Sequence, residues 1–135
     1  MQTTIEISYD EKISPACVKA TFEDGKTIQA DLPADKGGND TAPNPVELLQ
    51  AAICSCAAMY AQRFFAQHNL DPKGLTMKTE VNFDEQESKI ETMTHHFTLP
   101  EGFPEKYRNA FIRTVEQCTV KKNILTPPDF QVTLD

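Results

Sequence analysis

With 135 residues, 39% hydrophobic and 24% charged, the chain has the size and balance of one ordinary globular domain, and residues 1–135 are read as a single domain. A formal net charge of −7 without any Lys/Arg cluster disfavours nucleic acid and anionic membrane as partners. The N-terminus, MQTTIEISYDEK, has neither the basic nor the apolar region of a signal peptide, and the longest nearly apolar stretch, Ala51–Ala61, is too short to span a bilayer. A cytoplasmic location is expected. Thiols stay reduced there, so the four cysteines point to burial or redox chemistry rather than to a disulfide frame.

Residues 3–9 alternate, with Ile5, Ile7 and Tyr9 on one face, and residues 16–22 place Ala16, Val18, Ala20 and Phe22 together. "EDGK" (23–26) is a hairpin turn signal, and Ile28, Ala30 and Leu32 extend the pattern into a three-stranded meander. The loop "PADKGGNDTAPNP" (33–45) follows. Asn44 as N-cap, Pro45 at the first helical position and Glu47 three after the cap then start a helix that runs to about His68. "NLDPKG" (69–74) ends it.

Residues 75–83 and 90–99 alternate again, the second run placing Met93, His95, Phe97 and Leu99 on one face. "PEGFPEK" leads into a second helix whose stripe is Tyr107, Ala110, Phe111, Val115 and Cys118. "TPP" (126–128) stops whatever follows, and Phe130, Val132 and Leu134 suggest a closing strand. The expected order is βββ–α–ββ–α–β, an α+β fold.

The first helix carries Cys54 and Cys56. Two residues apart, they point about 200° from each other and cannot bond within an intact helix. The helix is apolar nearly all round and rich in small residues, so it needs cover on several sides. A homodimer partner supplying that cover is inferred, although a wrapped single sheet is an alternative. On position alone each thiol reads as a small buried hydrophobe, and Cys17, on the Lys19/Thr21 face of its strand, as incidental.

The run "TAPNPVELLQAAICSCAAMYA" resembles the OsmC/Ohr superfamily, in which a cysteine follows the helix-start proline by eleven residues, as Cys56 follows Pro45. "EQCTVKKNIL" (116–125) is similar to the segment around the family's second cysteine, through Cys118, Thr119 and Val120. The resemblance implies an intertwined homodimer with central helices packed between sheets. It also implies thiol-dependent reduction of organic hydroperoxides, with Cys56 peroxidatic, Cys118 resolving, and a dithiol such as a lipoyl group as reductant. The implied role is oxidative stress defence by peroxiredoxin-like activity, without a cofactor.

The resemblance departs at the groups that activate the thiol. Peroxidase members use an arginine from before the helix and a glutamate directly after its proline. That glutamate's position is Val46 here, and residues 1–62 contain no arginine. An apolar site raises a thiol's pKa unless a cation compensates. The substitutes are Lys36, in the loop, and Arg63, seven residues after Cys56 on nearly the same helix face. For each the bland alternative is a solvated surface charge. His95 and His96 fall on opposite strand faces and no metal-ligand spacing is present, so no metal is expected.

Two other functions fit the same fold. One is a binding protein holding an apolar small molecule, its cysteines mere core residues. The other is a thiol redox sensor with slow peroxide turnover.

Overall fold

The alternating N-terminal segments form an antiparallel sheet in the computed structural model, which describes residues 1–135. The strands are β1 (Ile5–Tyr9), β2 (Val18–Phe22) and β3 (Thr27–Ala30), in that order across the sheet. The register pairs Ile5 with Phe22, Ile7 with Ala20, Tyr9 with Val18, Ala20 with Ile28 and Val18 with Ala30. Paired residues share a face, so one face is almost wholly apolar. Gly25, at φ 90°, makes the β2–β3 turn possible.

β3 ends two residues before the expected Leu32. The reason is Asp31, a buried side chain that draws the following loop around itself. Its carboxylate accepts from Ser14 Oγ at 2.8 Å, Leu32 N at 2.8 Å, Thr41 N at 3.1 Å and Thr41 Oγ1 at 2.6 Å. Asn39 N donates to Ser14 Oγ at 2.9 Å. The loop passes so close that a Cβ on Gly38 would lie 2.0 Å from the Leu32 carbonyl oxygen.

The expected long helix is α1 (Pro45–Gln67). Its start is a reciprocal capping box. Glu47 N donates to Asn44 Oδ1 at 2.9 Å and Asn44 N to Glu47 Oε1 at 3.1 Å, an arrangement worth about 1 kcal/mol. Asn69, at φ 54°, terminates it, with Leu70 N donating back to the Phe65 carbonyl at 2.9 Å.

The chain divides into two compact units, Met1–Ala51 and Ala52–Asp135. The second holds most of α1, the hairpin β4 (Thr76–Asp84) and β5 (Lys89–Thr98), and the helices α2 (Arg108–Glu116) and α3 (Thr119–Leu125). Its core is Ala57, Ala61, Phe64 and Phe65 of α1 against Phe111 and Val115 of α2, with Met77, Phe97 and Leu99 of the hairpin packed on it. Phe111 meets Phe64, Phe65 and Phe97 edge-on, at centroid distances of 5.5, 6.0 and 5.2 Å. Burying each such phenylalanine contributes about 1.5–3 kcal/mol.

Two expectations change. The second helix is broken at Gln117–Cys118, because Cys118 takes extended backbone angles and caps a new helix. The closing strand over Phe130, Val132 and Leu134 does not form. The residues after Leu125 pair with no strand of this chain, and those three side chains are 86–95% exposed. The element order is therefore βββ–α–ββ–α–α. Within the single chain, α1 is buried only along the stripe Ala57, Ala61, Phe64 and Phe65, while Leu49 and Met59 are exposed.

Candidate active site

Cys56 sits mid-way along α1, one position before the buried stripe begins, which leaves its thiol half-buried and open to solvent. Cys118 lies in the break between α2 and α3 and is 4% exposed. Its sulfur accepts from Lys121 N at 3.4 Å, in the manner of an N-cap. The break is what lets it approach α1. A continuous helix through residue 118 would have kept the Thr119 and Val120 N–H groups in the helix's own ladder. Released from it, they are free to turn toward another acceptor.

That acceptor is Cys56. Burial alone would raise its pKa, but the Val120 N–H, the Cys118 thiol, the Thr119 N–H and the positive charge of Arg63 together outweigh it and lower the pKa. Cys118 moves the other way. Its burial and the hydrogen bond it gives to Cys56 raise it, against the Lys121 N–H, and the Cys56 charge adds to the rise. The pair thus favours ionisation at Cys56 over Cys118. The thiolate is the nucleophilic form of cysteine.

Arg63, on the face of Cys56, stands with its guanidinium carbon 4.9 Å from the centre of the Tyr60 ring. The Tyr60 hydroxyl lies 2.7 Å from Thr119 Oγ1. Lys36 closes a short 3₁₀ turn, Ala34–Lys36, in the first unit, and the groups acting on Cys56 all belong to the second. Cys54 is half-buried on another face of α1, and Cys17 is 1% exposed, its sulfur accepting from Gln29 Nε2 at 3.0 Å. His95 accepts or donates at 2.8 Å with Thr79 Oγ1, and burial and then Lys121 hold its pKa below the usual value.

Sequence reasoning thus named Cys56, Cys118 and Arg63 but not the groups that join them. Tyr60, four residues after Cys56 and three before Arg63, was legible as a neighbour of both on the helix surface. The two backbone N–H donors had no signal in residue type. They follow from the break before Thr119 alone.

The OsmC-like protein family model matches residues 37–133, spanning both cysteines. Among curated proteins none matches this chain in sequence. Solved structures similar to it include an osmotic stress induced and detoxification response protein of Psychrobacter arcticus, at 20% identity and a TM-score of 0.75, covering 91% of this chain and 88% of that one. An organic hydroperoxide resistance protein OsmC of Legionella pneumophila aligns at 17% identity and a TM-score of 0.62, over 92% and 89% of the two chains. An OsmC-like protein of Mycoplasma pneumoniae aligns at 14% identity and a TM-score of 0.69, over 94% and 89%.

Proposed function

The chain belongs to the OsmC-like family, and from that premise we propose that it is a thiol-dependent reductase of organic hydroperoxides, with Cys56 peroxidatic and Cys118 resolving. The observation that carries this reading is the thiol pair itself. A solvent-reachable cysteine with a lowered pKa receives a hydrogen bond from a buried cysteine with a raised one. The similarity to an organic hydroperoxide resistance protein supports the substrate class.

The chemistry runs as two displacements. The Cys56 thiolate attacks the terminal oxygen of the hydroperoxide. A sulfur–oxygen bond forms, the O–O bond breaks, and the alkoxide leaves and takes up a proton as the alcohol. Cys56 has lost two electrons and is a sulfenic acid. Its negative charge is gone, so the Cys118 proton loses the partner that held it. The Cys118 thiolate then attacks the Cys56 sulfur, the disulfide forms, and the departing hydroxide leaves as water. An external dithiol restores both thiols by exchange.

The two units work as one domain of residues 1–135, in a homodimer. The apolar surface left open in a single chain supports the dimer: Ile5 and Ile7 are 52% and 54% exposed, and Met59 of α1 is 65% exposed. A cytoplasmic location, where thiols are kept reduced, suits this chemistry; no helix is long and apolar enough to cross a membrane. Arg63 replaces the family's missing arginine, and Lys36 is a solvated charge.

The test is steady consumption of cumene hydroperoxide with dihydrolipoamide or dithiothreitol in excess. The account expects many peroxides reduced per protein, and none with Cys56→Ser. A single equivalent consumed and no more would instead describe a sensor, and no consumption at all would overturn the reading.

A further inference from the structure

Cys56 receives its stabilising contacts from two elements, α1 and the first turn of α3, and something must hold those elements in register. Three observations fall on one residue. Tyr60 lies one helical turn beyond Cys56, on the same side of α1. Its hydroxyl is 2.7 Å from Thr119 Oγ1, at the ideal length for a hydrogen bond between hydroxyls. Its ring lies under the Arg63 guanidinium at 4.9 Å, within cation–π range.

We propose that Tyr60 is a positioning residue. Its hydroxyl pins Thr119, and with it the start of α3, so that the Thr119 and Val120 N–H groups face Cys56, while its ring seats Arg63 on the same side. Thr119 is a surface residue and α3 is only seven residues long, so α3 has little packing of its own to fix it. A hydroxyl–hydroxyl bond across to the long helix supplies that constraint. This role needs no contact between Tyr60 and either sulfur. Tyr60 acts through Thr119 and Arg63.

The inference rests on the reading of Cys56 as a thiolate but not on peroxide turnover. The charged and titratable groups acting on Cys56 are Arg63 on α1 and Cys118 ahead of α3; Lys121 on α3 acts on His95 of β5.

The experiment is the pH profile of Cys56 alkylation by iodoacetamide, read by peptide mass spectrometry. It is run on the full chain, Tyr60→Phe, Thr119→Val and the double variant, with Tm as a control. Tyr60→Phe keeps the ring beneath Arg63 and removes only the hydroxyl. Both single variants are expected to move the Cys56 midpoint upward and to slow alkylation at neutral pH by roughly three- to tenfold, the scale of one lost hydrogen bond between neutral groups. The double variant is expected to match either single one, because both remove the same bond. A merely structural role would lower Tm and leave the midpoint in place. An unchanged midpoint in both variants, or effects that add, would overturn the proposal. Should Tyr60→Phe fail to fold, Thr119→Val alone decides it. Because no peroxide is used, a chain inactive toward hydroperoxides leaves this test intact.

Discussion

The Cys118 thiol donates to the Cys56 sulfur, and the same hydrogen bond drives their two ionisations apart: it lowers the pKa of Cys56 and raises that of Cys118. The contact thereby favours the charge on one sulfur over the other. The half-buried member of the pair ionises more readily and the buried member holds its proton more tightly, an order suited to attack on an outside electrophile followed by internal resolution.

Cys118→Ala therefore raises the midpoint of Cys56 alkylation while leaving Cys56 reactive, since the Val120 and Thr119 N–H groups and Arg63 remain. Conversely, Cys56→Ala removes both the hydrogen bond and the charge that raise Cys118, so the Cys118 midpoint falls. Opposite movements in the two variants check the coupling. Movement in only one would show that burial, and not the pair, sets the values.

Arg63 is an exposed cation, and its contribution to Cys56 ranks below burial and the three hydrogen-bond donors. Arg63→Ala should slow Cys56 alkylation at neutral pH by roughly two- to threefold at low salt, the scale of an exposed charge pair. The difference from wild type should shrink at about 1 M salt, where the screening length is about 3 Å. Arg63→Lys should retain the charge effect. A loss that is large and insensitive to salt would assign Arg63 a packing role over Tyr60 instead.

The buried Asp31 of the first unit gives a stability prediction independent of the thiols. Its burial would raise the carboxyl's pKa, but the Thr41 hydroxyl, the Thr41 N–H, the Ser14 hydroxyl and the Leu32 N–H outweigh that and hold it far below 3.8. The ionised carboxylate is thus favoured in the folded chain. Its stabilisation is complete above about pH 4 and is lost as the pH falls toward the folded value. Asp31→Asn should lower Tm by several degrees at pH 7 and flatten the fall of Tm between pH 5 and pH 2, followed by circular dichroism. Gly38→Ala, whose Cβ would also stand 2.6 Å from Asp31 Oδ1, should destabilise the same loop.

The capping box at Asn44–Glu47, the three-stranded meander and the hairpin after α1 were legible because each is written in local pattern: a cap triplet or period-two alternation. The break at Cys118 was not. The stripe Tyr107, Ala110, Phe111, Val115, Cys118 reads straight through it, and only tertiary packing that draws the Cys118 sulfur to Cys56 decides otherwise. The tail failed for the converse reason. Phe130, Val132 and Leu134 alternate as a strand should, yet alternation does not by itself provide a pairing partner, and these residues pair with no strand of this chain. At the candidate site, Cys56, Cys118 and Arg63 were singled out by spacing and resemblance. The Tyr60–Thr119 bond and the two N–H donors depend on how α3 meets α1, which residue types alone do not encode. Asp31 was lost in a segment rich in loop formers, because its partners Ser14 and Thr41 lie 17 and 10 residues away.

The central claim is that Cys56 and Cys118 form a working redox pair. The most direct test treats the reduced protein with one equivalent of cumene hydroperoxide and follows it by intact and peptide mass spectrometry. A Cys56–Cys118 disulfide forming within seconds, absent in Cys56→Ser and replaced by a trappable Cys56 sulfenic acid in Cys118→Ser, is the predicted result. Four unmodified thiols after minutes of exposure would contradict the account.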